Sequence, residues 1–292
     1  MNLSVEKYQK ISIACSNDMM EAFSNYLLER NTGGLVIEDG KQNGQQILTA
    51  YLSSLKNKPF IAEEIEKFFN INKSHFPGAS YRLLALEYIQ AEDWLAGWKR
   101  TCIPIHVTDK IVVRPTWESY QIQPGEIEIV IDPKMAFGTG HHETTSGCLA
   151  AMEKLGVCDK RALDYGCGAG ILAIAAAKMG ASEVIACDID PEAIACAREN
   201  FALNDAAVEL VESGNFIADP PCDIIAANLS IDQIIALYDE LDKSLTADGY
   251  IIYSGIPFDD RQRFLDFIEK KPYKIVDEIS GDEWISYIGQ RK

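Results

Sequence analysis

Apolar and polar residues alternate in "LSVEKYQKISIAC" (residues 3–15), which predicts a strand, and apolar residues then recur at helical spacing in "NDMMEAFSNYLLER" (17–30), which opens on Asn17. Two more alternating runs, "GGLVIED" and "QQILTAYL", flank a Gly/Asn-rich turn, and "AEEIEKFFN" and "YRLLALEYI" add a helix and a strand. The order βαββαβ predicts a ferredoxin-like split βαβ domain over residues 1–90. No paired carboxylates or histidine cluster lie in it, so it reads as a binding module. Residues 91–130 follow as an interdomain helix and lead-in strands, with Trp94, Trp98 and Trp117 as packing residues.

From residue 131 to 292 the pattern becomes repeated strand–helix units, which predicts a mostly parallel sheet covered on both faces. The strands are "RALDYG", "EVIACDID", "VELVES", "CDIIAANL" and "GYIIYSG". Helices fall at "ILAIAAAKMG", "PEAIACARENFALN", "IDQIIALYDELDKSL" and "DDRQRFLDFIEKK". The tail "YKIVDEISGDEWISYIGQ" predicts an antiparallel hairpin at the sheet edge.

Composition narrows the setting. A chain of 292 residues suits two domains. Eight cysteines without a C-x-x-C pair suggest neither a disulfide framework nor a zinc cluster, and with no signal-peptide layout at the N-terminus they predict a cytoplasmic protein. The net charge of −17 argues against a nucleic-acid partner; residues 1–90 hold 10 acids and 9 bases, so −16 of it belongs to residues 91–292. Such a field attracts a lysine-rich partner or a cationic ligand, although it also serves simply as a solubilising surface.

The chemistry concentrates in "ALDYGCGAGILAIAAAKMGASEVIACDID". A strand carrying Asp164 leads into a loop with Gly166, Gly168 and Gly170, and the next strand carries Asp188, 22 residues beyond Gly166. Glycines at a strand–helix turn let backbone approach a ligand, and an acid at the second strand's end is placed to accept from a ribose diol. Ile171 stands where a dinucleotide loop would carry its last glycine, and the negative Asp164 suits a ligand with positive charge. Asn228, ending "CDIIAAN", faces the ligand crevice in such a sheet or else caps the helix beginning near Ile231. In "DPKMAFGTGHHETT", His141 and His142 are adjacent rather than i, i+4, so no metal is expected there.

The loop with Asp188 resembles the S-adenosylmethionine site of class I methyltransferases. With "EDWLAGWKRTCIPIHVTDKIVVRPTW", "IDPKMAFGTGHHETT", "ANL" and "DEWISYIGQRK" in this order, the chain resembles bacterial ribosomal protein L11 methyltransferases over about residues 90–292. The resemblance implies a Rossmann-like α/β domain, a mostly parallel seven-stranded sheet with an antiparallel edge hairpin, behind a smaller ferredoxin-like α+β domain that recognises the substrate. It implies methyl transfer from S-adenosylmethionine to lysine side chains and the N-terminal amine of ribosomal protein L11, by a monomer without direct nucleic-acid or membrane contact. By position, Thr145, Gly166, Asp188 and Asn228 bind the cofactor, Phe137, Gly138 and Gly168 shape its pocket, and Asn228 also holds the incoming amine. The family's "GTGTHPTT" is "GTGHHETT" here, so His141 and Glu143 depart from it. Two other readings are a methyltransferase acting on a release-factor glutamine, which would carry Asn-Pro-Pro-Tyr where this chain has "NLSI", and a non-catalytic ribosome-docking protein.

Overall fold

The computed structural model describes residues 7–28, 35–39, 45–53, 59–60, 62–73, 76, 78–90, 103–132 and 142–292. Phe137, Gly138, His141, Trp94 and Trp98 lie outside the described residues. The chain divides into two compact units, Met1–Thr101 and Cys102–Lys292.

In the first unit the elements run β1 (Lys7–Ser16), α1 (Asn17–Leu28), β2 (Leu35–Asp39), β3 (Gln45–Ser53), α2 (Ala62–Asn72) and β4 (Tyr81–Gln90). The sheet order is β2-β3-β1-β4, with every neighbouring pair antiparallel. β1 and β2 therefore run parallel with β3 between them, the split βαβ arrangement that the element order predicts. Period-two alternation sends Ile11, Ile13, Leu48, Ala50 and Leu52 to one face, where Met19, Phe23, Leu27 and Ile65 of the two helices cover them. Ser12 and Thr49 point to the other face and share a 2.9 Å hydrogen bond between their hydroxyls.

The second unit opens with a three-stranded sheet of β5 (Ile105–His106), β6 (Ile111–Pro115) and β7 (Ile127–Ile131), where the sequence pattern reads lead-in strands; the helix read before Pro104 falls outside the described residues. Then follow α3 (Glu143–Leu155), β8 (Arg161–Tyr165), α4 (Ile171–Lys178), β9 (Glu183–Asp188), α5 (Pro191–Leu203), β10 (Glu209–Glu212) and β11 (Cys222–Asn228). The chain finishes with α6 (Ile231–Ala236), α7 (Tyr238–Lys243), β12 (Leu245–Pro257), a 3-10 turn (Phe258–Asp260), α8 (Arg261–Ile268), β13 (Tyr273–Ser280) and β14 (Trp284–Arg291). The run 231–245, read as one helix, is two helices broken at Leu237 and then the first residue of β12.

The large sheet has the order β10-β9-β8-β11-β12-β14-β13. It is parallel except for β14, which pairs antiparallel with both β12 and β13. Its central strands are near-continuous apolar runs because helices cover both faces, one core gathering around α3, α4 and α5 and the other around α6, α7 and α8. α4 is apolar all round, with Ile171 to Ala176 all buried. The chain runs outward from β8 to β10 and returns to β11 on the other side of β8, so the connections leave in opposite directions at the β8/β11 boundary. A crevice opens at the carboxyl ends of the strands at such a reversal.

α3 lies flush on the antiparallel part of the sheet. A Cβ built on Gly147 would sit 2.2 Å from Ser286 Oγ, and that hydroxyl is 2.7 Å from Ser254 Oγ. Gly147→Ala overpacks this contact and is expected to lower stability by about 1–3 kcal/mol. A denaturant midpoint unchanged from wild type would show that the helix moves away at no cost.

Candidate active site

The glycine loop is shaped by its own backbone hydrogen bonds. Gly166 and Cys167 both donate to the Cys187 carbonyl, at 2.8 and 3.0 Å, and Gly170 donates to the Cys167 carbonyl at 2.8 Å. Gly166, Gly168 and Gly170 have φ of 74°, 53° and 81°, in the left-handed region where a side chain is strained. Two of them are also crowded, since a Cβ would lie 2.6 Å from Leu229 Cδ2 at Gly166 and 2.5 Å from the Phe201 ring at Gly170. Asp188 ties the loop to the next strand: one carboxylate oxygen accepts from Gly168 N–H at 2.8 Å and the other from Asp190 N–H at 3.0 Å. Each oxygen keeps a second lone pair, so a diol ligand can still be accepted.

Strand pairing brings the other predicted residues to this edge. Tyr165, just before Gly166, pairs with Ala227, and Asn228 pairs with Ser254. Ser254 Oγ donates to the Thr144 carbonyl at 3.0 Å, which seats the first turn of α3, with Thr145, over the same edge. Thr145 is fully buried, and its hydroxyl oxygen has no hydrogen-bond partner among the described residues. Asn228 is not the helix cap. Ser230 caps α6 in a reciprocal capping box with Gln233, leaving the Asn228 amide outside that motif.

His142 and Glu143 have structural work. His142 is the N-cap of α3, with Nδ1 2.8 Å from Thr144 Oγ1, and its ring meets Trp284 edge-on at 5.1 Å between centroids. The Glu143 carboxylate accepts from the backbone N–H groups of Glu283 and Trp284 at 3.1 and 3.3 Å. The N–H of Glu283 foremost holds that carboxyl below its ordinary range.

Asp164 behaves differently from the fixed charge that the sequence suggests. Burial pushes its carboxyl up to about 7 against the opposing bond from Ala173 N–H at 3.0 Å, and the neighbouring Asp188 charge raises it further. A cationic ligand would draw it back to the ionised form.

Asn200 is a residue beside the loop that periodicity does not single out. It lies on the buried face of α5, fully covered, where an apolar side chain is the usual occupant. Its Oδ1 accepts from Asp132 N–H at 2.9 Å and its Nδ2 donates to the Ala169 carbonyl at 2.9 Å. One side chain thus fastens the glycine loop to the residue that follows β7. One turn on, Asn204 Oδ1 accepts from Val130 N–H at 2.9 Å and its Nδ2 donates to the Val130 carbonyl. The polar signal was available in "ARENFALND", where two asparagines stand four apart on one helix face.

The donor set fits S-adenosylmethionine. Asp188 suits its ribose hydroxyls, the glycine backbone admits close approach, the buried Thr145 hydroxyl lacks a partner, and the ionisable Asp164 beneath the loop complements positive charge.

Two outcomes follow. Because the folded Asp164 carboxyl titrates above its ordinary value of 3.8, its contribution to stability is complete below about pH 4 and is lost as pH rises through about 7. The unfolding free energy of Asp164→Asn, measured by denaturant titration from pH 5 to 8, should lack this part of the wild-type decline; parallel curves would refute it. Asn200→Asp keeps the acceptor for Asp132 but turns a carboxyl oxygen toward the Ala169 carbonyl in a buried site, and should weaken S-adenosylmethionine binding by about tenfold or more in calorimetry. Asn204→Ala, which loosens β7 without touching the loop, should change that affinity less; equal losses would make Asn200 a general stability residue.

A sequence profile described as "Ribosomal protein L11 methyltransferase (PrmA)" matches residues 7–292. A ribosomal protein L11 methyltransferase of Geobacter sulfurreducens is 36% identical over 248 residues, covering 82% of this chain and 83% of the relative. Another, from Ruminiclostridium cellulolyticum, is 32% identical over 308 residues, covering 97% and 98%. The crystal structure of a ribosomal protein L11 methylase from Lactobacillus delbrueckii subsp. bulgaricus superposes with a TM-score of 0.61 at 32% identity, covering 65% of this chain and 99% of that one. With the profile spanning both units and a relative aligned along almost the whole length, the chain belongs to the ribosomal protein L11 methyltransferase family.

Proposed function

We propose that this protein transfers methyl groups from S-adenosylmethionine to lysine side chains and the N-terminal amine of ribosomal protein L11. The observation that carries the reading is the meeting of the glycine loop, Asp188 and Asn228 at the reversal of strand order, in a chain of this family.

When bound, S-adenosylmethionine supplies an electrophilic methyl group. Gly166, Gly168, Asp188 and Asn228 hold the cofactor, and Thr145 contributes its buried hydroxyl. The family resemblance also assigns Phe137 and Gly138 to the cofactor pocket. The Asn228 amide oxygen accepts from the neutral substrate amine and aligns its lone pair, which is the enzyme's main lever in a direct displacement. A free lysine titrates near about 10.4, so the site must also favour the uncharged amine by desolvation, or leave its proton to water. Ser230 is committed to capping α6, so it does not compete for the amine.

Residues 1–90 act as the substrate-recognition domain, residues 91–130 as connection and lead-in, and residues 131–292 as the methyltransferase domain. This division is supported by the absence of a catalytic constellation among the described residues of the first unit. The cytoplasm, where ribosomal proteins are made, suits the substrate. Among the described residues no helix is long and apolar enough to cross a membrane. The absence of the Asn-Pro-Pro-Tyr motif after β11 disfavours glutamine as the acceptor.

Labelled S-adenosylmethionine incubated with purified L11 should mark lysine-containing peptides and the N-terminal peptide in a mass-spectrometric digest. Asn228→Ala should lower kcat by about tenfold or more with smaller change in cofactor affinity. Absence of label on L11 would overturn the proposed substrate, and full turnover by Asn228→Ala would overturn that residue's role.

A further inference from the structure

The ends of β12 and β14 enclose a groove of about 360 Å³ lined by Pro257, Phe258, Asp259, Asp282, Glu283 and Trp284. It lies on the second unit, at the same carboxyl edge of the sheet as Asn228, since Ser254, the register partner of Asn228, precedes Pro257 by three residues. Its two aromatic side chains differ in exposure: Phe258 is 41% exposed, and Trp284 is half-buried with His142 against it. Asp259, Asp282 and Glu283 are all exposed, and none makes an ion pair with another described residue. The nearby arginines are otherwise engaged, Arg261 with Glu278 and Arg263 with Asp232 and Asp260.

The groove is held in shape by backbone rather than by its own side chains. Phe258 N–H donates to the Glu283 carbonyl at 3.1 Å, and Pro257 is in register with Trp284. Glu143 fixes the opposite side through its bonds to the N–H groups of Glu283 and Trp284. The backbone that carries the three carboxylates and two aromatic rings is therefore fixed before binding, and only the side chains remain to be ordered. Carboxylates attract an ammonium group, and an aromatic face adds cation–π attraction while the methylene stem of the same side chain packs against the ring. An anionic or purely apolar ligand gains from neither.

We infer that this groove is a docking subsite for a lysine-bearing segment of the protein substrate, distinct from the position where the reacting amine meets the methyl group. The inference rests on the reading of the enzyme as a protein methyltransferase and adds the surface that engages a second cationic side chain. Occupancy of the groove ties the substrate chain down beside Asn228, so that a neighbouring amine is presented repeatedly for transfer. The groove favours clustered lysines over isolated ones, because a lone lysine cannot occupy groove and reaction site together.

The test has two arms. Binding of an acetylated hexalysine peptide to the full-length protein is followed by tryptophan fluorescence and by calorimetry, and KM is measured with intact L11 at low and moderate salt. The triple variant Asp259→Asn, Asp282→Asn, Glu283→Gln should weaken hexalysine binding and raise KM for L11, each by about tenfold, from three exposed pairs together. The salt dependence of KM should flatten with it. Phe258→Ala should weaken both by about threefold. A charge-matched control, Asp239→Asn, Asp248→Asn, Glu269→Gln, should shift either quantity less than about twofold. Equal effects of the two triple variants would overturn the subsite in favour of the general acidic field, and hexalysine binding unchanged in the groove triple would overturn it outright. If wild type binds hexalysine through the groove yet leaves L11 unlabelled, the proposed substrate fails and the cationic subsite stands.

Discussion

The reversal of strand order between β8 and β11 is the constraint on which the site depends. Parallel strands in one sheet need crossover connections, and the chain makes them to one side of β8 and then to the other. The connections after β8 and β11 consequently leave to opposite sides, and the ligand crevice opens at the strand ends above the contact of Leu229 with Gly166. The glycines of the first loop, Asp188 on the neighbouring strand and Asn228 on the other side are residues placed by this single topological event. The antiparallel β14 then adds a wall at one end, and α3 is pressed onto it through Gly147, Ser254 and Ser286.

Much of this was legible in the sequence, for identifiable reasons. Long apolar runs such as "CDIIAAN" and "ILAIAAAK" announce buried parallel strands and a helix buried all round. The Gly-x-Gly-x-Gly loop and an acid 22 residues on are local features whose geometry travels with the sequence. What stayed hidden were elements whose identity is decided by distant partners. α3 carries Gly147 in its middle, a weak helix former, and is held by a surface formed more than a hundred residues later. β5 and β6 form a small sheet with β7 rather than a lead-in to the large one, because their register is set by one another. The helix broken at Leu237 likewise gave no signal in periodicity, since both halves keep the same apolar face.

The site residues divide in the same way. Gly166, Gly168 and Asp188 stand out in the sequence through their local spacing and Asn228 partly through the family resemblance, whereas Asn200 does not, because its partners Asp132 and Ala169 lie on two other segments. Asp164 stands out in the sequence as a negative charge, and its burial makes that charge conditional on what lies near it. A carboxylate's sign can be read from its letter; the energy of keeping it ionised depends on how much water the fold removes.

The Glu143 latch has an implication for exchanging parts among relatives. Gly281 sits so close to it that a Cβ there would lie 2.3 Å from Glu143 Oε2. The carboxylate at 143 and the missing side chain at 281 are therefore one spatial unit, split across two ends of the second unit's sequence. A bulkier residue at 281 would displace the carboxylate from the N–H groups of Glu283 and Trp284, so an exchange of the hairpin reaches the first turn of α3 as well.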